Sequence, residues 1–374
     1  MRAGTSKGVF LRAQDLPADV ERWRRILPKV MGSPDPFGRQ LDGLGGGTST
    51  TSKLAVVSPS KRPDIADVDY LFIQGSVTGA TLDMTGNCGN ILSGVAPFAY
   101  EEGMVHRQPD SAKGDDGELS LTLRCLNNDQ LIRSSFRVTD GLPVENGDMV
   151  IDGVSTKGSP IKLDFLDPAG SMTGRLLPTG SPTDLLVVEG LTEPILVSCV
   201  DAANPFVFVR IQDVEPTLVG FESSAHLDKE SLSRKVEAIR RSAAVVMGLA
   251  QDTVSAAAVK GTPKICLVAP ASLAGNGHIM TRSWSMGKPH PALQLSGAVC
   301  VAAAAHIPGT IPHELVKSTT GRIPSKLRID HACGTIEASA NVEVVPGTKE
   351  VKIASATLFR TARRLFSGEA YYVL

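Results

Sequence analysis

The chain has 374 residues, 42% of them hydrophobic and 21% charged, enough apolar material for two domains or lobes and too much for a disordered chain. Thirty-eight Lys and Arg against 39 Asp and Glu leave a net charge of −1, which argues against nucleic-acid binding driven by charge.

In chain order, a Gly-rich turn at 2–8 leads into a predicted strand at 9–12, and a helix is predicted over 18–31. β-rich runs bounded by Gly, Pro, Asp or Ser predict strands at 53–58, 68–74, 119–126 and 135–138. Between them, 90–103 is too evenly apolar for a surface helix and should be buried along its length. The acidic, Gly-rich 111–118 reads as a surface loop. The Gly/Pro/Thr/Ser stretch 174–183 marks a lobe boundary. The second half predicts strands at 185–188, 195–200, 206–211, 265–269, 327–330, 335–340 and 351–354. An amphipathic helix is predicted over 228–249, capped by Asp228, with Leu232, Val236, Ile239, Ala243, Val246 and Met247 at helical spacing. A second evenly apolar stretch covers 293–306. Ser93, Gly94, Val95 and Ala96 align with Ser296, Gly297, Ala298 and Val299, each after a turn-rich segment. This reads as an internal duplication, with coincidence between two small-residue helices as the competing explanation. The expected fold is α+β, with two pseudo-symmetric lobes, each a mixed, mostly antiparallel sheet curled around a central buried helix. Residues 1–183 would form the first lobe and 184–357 the second.

Four segments can carry chemistry. Gly4, Ser6 and Gly8 formally spell the serine-hydrolase elbow, but the required strand does not precede them, and an anion-binding turn using Lys7 and the hydroxyls fits better. Gly43 to Lys53 combines glycines with Thr48, Ser49, Thr50, Thr51 and Ser52 and is neither a Walker A loop nor a dinucleotide fingerprint. Its glycines let backbone approach a small ligand, and a partly desolvated Lys53 could serve as a base. A solvated lysine is the plainer alternative. Cys88 lies between Asn87 and Gly89, with Asn90 beyond, at the mouth of the predicted buried helix, where free N–H groups favour a thiolate and attract a carboxylate. The alternative is a small buried hydrophobe. In the second half, Met286, Lys288 and His290 form the corresponding turn, and Asn204 offers a polar contact. The other cysteines, Cys125, Cys199, Cys266, Cys300 and Cys333, read as buried apolar residues. The six show no disulfide or zinc spacing, and the start of the chain shows no apolar signal core, so a cytoplasmic protein with reduced thiols is expected.

Together, Arg2 to Gly8, Gly45 to Lys53, Val68 to Phe72, Gly86 to Asn90, Leu177 to Gly180, Asp201 to Pro205, Met286 to His290 and Ser296 to Val299 resemble the landmarks of the PrpF-like branch of the diaminopimelate-epimerase fold. The resemblance implies two similar lobes with the active site in the cleft between them, and 358–374 returning to the first. It implies cofactor-free, metal-free isomerases that shift a C=C bond in unsaturated di- and tricarboxylates. Among them are aconitate, 2-methylaconitate and methylitaconate Δ-isomerases, fungal aconitate-Δ-isomerases and 4-oxalomesaconate tautomerases. Lys53 and Cys88 fall where the family places its acid/base candidates. Ser6, Lys7, Thr48, Ser49, Asn87, Gly89, Asn90, Asn204, Met286, Lys288 and His290 are the expected substrate contacts. Classical epimerases of this fold use a cysteine in each lobe, but the second-lobe turn here has none, which disfavours a two-thiol racemase. Aconitate or 2-methylaconitate is the expected substrate. A keto–enol tautomerase and a non-enzymatic carboxylate-binding protein are the alternatives. No nucleic acid or membrane partner is expected, and a homodimer is left open.

Overall fold

A computed structural model describes residues 1–105, 116–216, 230–271, 276–344 and 351–373. The chain forms two units, Met1–Asp164 with Phe359–Leu374, and Phe165–Leu358. The stretch 165–183 belongs to the second unit because Asp201 holds it there. Ser171 Oγ, Thr173 Oγ1 and the N–H groups of Met172 and Thr173 donate to the Asp201 carboxylate at 2.6–2.9 Å. The Gly170 N–H donates to the Asp201 carbonyl at 2.8 Å.

In the first unit, Arg2–Ala3 and Ser6–Arg12 form a hairpin, and Ser6–Arg12 runs parallel to Lys53–Pro59. Lys53–Pro59 is antiparallel to Val68–Gly75, which is parallel to Gly117–Cys125, itself antiparallel to Leu131–Thr139. The second unit repeats this order. Ile195–Ala202 is antiparallel to Asn204–Arg210, which is parallel to Lys264–Pro270. Then follow Ile279–Ser285 antiparallel, Lys326–His331 parallel and Gly334–Val344 antiparallel. Parallel neighbours need a crossover. In the first unit the first parallel pair is linked through the helix Val20–Met31, and in the second through Glu230–Val246 with the shorter Ile211–Val214 and Thr253–Ala258 on either side; in both units the second parallel pair is linked through the buried helical segments. The repeated topology makes the duplication structural as well as sequential.

Val20–Met31 starts at Asp19, whose side chain accepts the Glu21 N–H at 2.9 Å, and ends at Gly32 with φ 76°. Its Trp23, Leu27 and Met31 face Leu54, Val56, Ile73 and Leu82. In the second unit Leu232, Val236, Ile239 and Ala243 cover Val207, Val209, Ile265 and Leu267. The expected cap Asp228 lies outside the described residues, as does 111–115 of the acidic loop.

Leu295–Ala305 is buried at every position, as its uniform apolarity requires. The matching stretch of the first unit is not one helix. It breaks into Gly89–Leu92 and Val95–Glu101, and Ser93 Oγ donates to the Asn90 carbonyl at 2.8 Å beside the break. The repeated Ser-Gly pair has a packing cause. A Cβ on Gly94 would lie 2.8 Å from Phe10 Cζ, and one on Gly297 would lie 2.9 Å from Phe206 Cζ. Each glycine lets its helical segment settle on an aromatic ring of the parallel strand.

Candidate active site

Lys53 opens its strand and is 8% exposed. Register places Gly8 on one side and Gln74 on the other. The ammonium Nζ donates to Gln74 Oε1 at 2.5 Å and lies 5.1 Å from the centre of the Phe72 ring. Gln74 is itself fixed, donating from Nε2 to the Ser52 carbonyl at 2.9 Å and the Gly75 carbonyl at 3.2 Å. Among the described residues no carboxylate pairs with Lys53. The buried amine is therefore held by a neutral amide and an aromatic face.

The duplicated strand supplies an internal contrast. Lys264 also opens its strand, but its Nζ bonds the Gly261 carbonyl at 2.9 Å, and its parallel neighbour is Phe206. Gly8 is what differs at Lys53. A Cβ there would meet Ile91 Cδ1 at 2.8 Å and the Lys53 carbonyl at 3.0 Å. The bare Gly8 thus lets the helical turn after Cys88 come down beside the start of the Lys53 strand.

Cys88 is half-buried at the start of Gly89–Leu92, with extended backbone (φ −131°, ψ 101°). The Leu92 N–H donates to the Cys88 carbonyl at 3.0 Å. Asn87, Gly89 and Asn90 are buried around it. Asn90 ties this turn to the N-terminal one: its Nδ2 donates to Thr5 Oγ1 at 3.1 Å, and its Oδ1 accepts the Thr5 N–H at 3.5 Å. Gly4, at φ 53°, is required there, since a Cβ would stand 2.2 Å from Asn90 Oδ1. Ser6 is buried next to this turn, and the Lys7 N–H donates to the Thr50 carbonyl at 2.9 Å, joining the N-terminal turn to the glycine loop.

The glycine loop is braced from within. Thr48 Oγ1 is 3.0 Å from Thr50 Oγ1 and 2.8 Å from Thr51 Oγ1, while Ser49 is half-buried. Buried Gln40 accepts the Gly47 N–H at 2.9 Å and the Ser52 hydroxyl at 2.6 Å. Gln40, Gln74 and Arg360, whose Nε donates to Asn90 Oδ1 at 3.3 Å, belong to the site and do not stand out in the sequence. Strand register was the only available signal for Gln74.

In the second unit, buried Asn204 donates from Nδ2 to Ser296 Oγ at 3.0 Å. Met286 and Gly287, with φ 55° and 78°, form a two-residue turn joining Ser285 to Lys288. Lys288 is exposed there. His290 is half-buried, with Nδ1 2.5 Å from the Ala292 carbonyl.

Four of the other cysteines are buried, and burial pushes their thiols up, that of Cys125 to about 11. Cys333 departs from expectation. It lies in the turn after Lys326–His331 and is exposed, because that turn, unlike the strands, faces solvent. Among the described residues no three His, Cys, Asp or Glu side chains gather as a metal site requires, and no helix is long and apolar enough to cross a membrane.

Comparison with known proteins agrees with this architecture. The chain is 40% identical over 372 residues to a (4E)-oxalomesaconate Δ-isomerase of Novosphingobium sp. (strain KA1), covering 99% of this chain and 96% of that protein. It is 35% identical over 386 residues to a 2-methyl-aconitate isomerase of Shewanella oneidensis, covering 98% and 94%. The crystal structure of a methylitaconate Δ-isomerase superposes with a TM-score of 0.76 at 36% identity, covering 98% of this chain and 92% of that one. The model of the PrpF protein family matches residues 1–373, and the chain belongs to that family.

Proposed function

We propose that the protein is a cofactor-independent isomerase that moves a C=C bond by a 1,3-proton shift in an unsaturated di- or tricarboxylate. Aconitate, taken from cis to trans, and 2-methylaconitate are the favoured substrates. The observation that carries this reading is Lys53, a buried amine without a carboxylate partner among the described residues, set beside the glycine-lined turn of Cys88. The similarity to isomerases of oxalomesaconate, 2-methylaconitate and methylitaconate supports the same reaction class.

In this reading the neutral Lys53 amine takes a proton from the γ carbon. The C–H electron pair enters the conjugated system and gives a dienolate. The ammonium then returns a proton at the α carbon, and the double bond ends one position along. Removing a proton next to a carboxylate is difficult because negative charge accumulates, so fixed donors must meet it. Backbone N–H groups at Gly89 and Asn90 and the hydroxyls of Ser6 and Ser49 suit that task. Cys88 shares the proton transfer as the second acid/base group. Asn204, Lys288 and His290 are assigned to distal carboxylates.

Proton NMR of cis-aconitate in D₂O with the purified protein tests this. Formation of trans-aconitate with deuterium entering the methylene is expected. The same experiment with 2-methylaconitate, methylitaconate and 4-oxalomesaconate ranks the substrates. Turnover of 4-oxalomesaconate alone would favour the tautomerase reading. No exchange with any of the four would overturn the enzymatic reading. The proposal places the reaction in the cytoplasm, where the free thiols stay reduced.

A further inference from the structure

Arg360 ends the strand Val351–Arg360 and is 6% exposed. The other well-covered arginines mostly sit on carboxylates: Arg124 on Asp69 at 2.8 Å, Arg240 on Glu237 at 2.8 Å, and Arg364 on Glu101 at 2.9 Å. Arg360 does not. Its Nε donates to Asn90 Oδ1 at 3.3 Å and its Nη1 to the Phe359 carbonyl at 2.9 Å. Among the described residues no carboxylate pairs with it, and its other N–H groups have no acceptor. Burying a guanidinium without a counter-charge is costly, and an apolar side chain of similar volume would pack there at no such cost. Burial alone lowers its pKa to about 10, so it remains a cation at neutral pH. An anion would supply the counter-charge. Asn90, two residues after Cys88, fixes where that anion would bind.

We propose that Arg360 receives a carboxylate of the substrate through the N–H groups that Asn90 and Phe359 leave unused. This rests on the reading of the site as one for unsaturated polycarboxylates and adds a buried positive charge beside Asn90. A planar fork suits a carboxylate bidentately.

The test uses propane-1,2,3-tricarboxylate, a saturated tricarboxylate with no double bond to shift, and reads melting temperature and calorimetric Kd. The unmodified protein should be stabilised by it, and not by sodium sulfate at equal ionic strength. Arg360→Met should melt no lower than the parent without ligand, lose the ligand-induced shift and bind at least about ten-fold more weakly. Arg360→Lys keeps the charge and loses the fork. It should fold like the parent and bind several-fold more weakly. Parental Kd in both variants, or an equal shift with sulfate, would overturn the assignment. Specific binding without isomerisation of any substrate would sink the enzymatic reading and leave Arg360 standing. Isomerisation with unaltered affinity in the variants would do the reverse.

Discussion

At the scale of single residues, the site depends on how Lys53 is held. Lys53→Ala should lower kcat by about 10² to 10⁴ while circular dichroism and melting temperature stay close to the parent's, because no ion pair is lost. Full activity in that variant would remove Lys53 from the mechanism. Gln74→Leu leaves the amine in place without its acceptor and should cost about ten-fold in kcat with little change in KM. Thiol accessibility gives a second check. Titration of the native protein with a thiol reagent should find Cys88 and Cys333, and all six cysteines only after denaturation. Lys53 and Cys88 were legible in the sequence because glycines and hydroxyl residues crowd around them locally. Gln74 was not, because it meets Lys53 only through strand register. Arg360 was not, because Asn90 lies 270 positions away in the chain.

At the scale of elements, the repeated Ser-Gly pair was visible before its purpose was. Gly94→Ala and Gly297→Ala each push a methyl group into a phenylalanine ring, and each should cost about 1–3 kcal/mol by urea denaturation. Unchanged stability would mean that the rings yield freely. Most strands were readable from β-branched runs. Ile279–Ser285 was not, because polar Thr281 and Ser283 point inward and are satisfied by hydrogen bonds, from Thr281 Oγ1 to the Asp330 carbonyl at 2.8 Å and from Ser283 Oγ to Gln294 Oε1 at 2.5 Å. The evenly apolar 90–103 gave burial correctly for 90–99 but not for its end, where Glu101 and Gly103 are exposed, and gave continuity incorrectly, since periodicity does not register a break at Ser93 and Gly94.

At the scale of the whole molecule, each unit carries a carboxylate that ties its stability to pH. Burial alone would raise the Asp69 carboxyl, but Arg124, the Lys61 N–H and the Ser60 hydroxyl outweigh it and hold it below its ordinary value. In the second unit, burial likewise opposes Arg240 and Arg241 at Glu237, and the arginines prevail. Both groups bind protons more weakly folded than unfolded. Their contribution is therefore complete above the unfolded values near about pH 4 and is lost as pH falls through the folded ones. Urea midpoints should be flat from pH 7 to 5 and fall steeply below about pH 4. Asp69→Asn should lower the neutral-pH midpoint and flatten part of that fall. The duplicated topology was only half legible, because two of its strand pairs rest on polar or short elements that sequence pattern does not reveal.

The seclusion of the Lys53 ammonium between Gln74 and Phe72 has an isotopic consequence. An ammonium carries three equivalent hydrons, and one shielded from water exchanges them slowly. On the proposed chemistry, the hydron lifted from the γ carbon mixes with two others and has at most about one chance in three of being the one delivered. In D₂O the earliest product should therefore retain a minor, reproducible fraction of protium at the α carbon. A thiol carries a single hydron, so a relay through Cys88 alone would give either complete memory or none. The retained fraction, measured in the first turnovers, thus counts the hydrogens on the base.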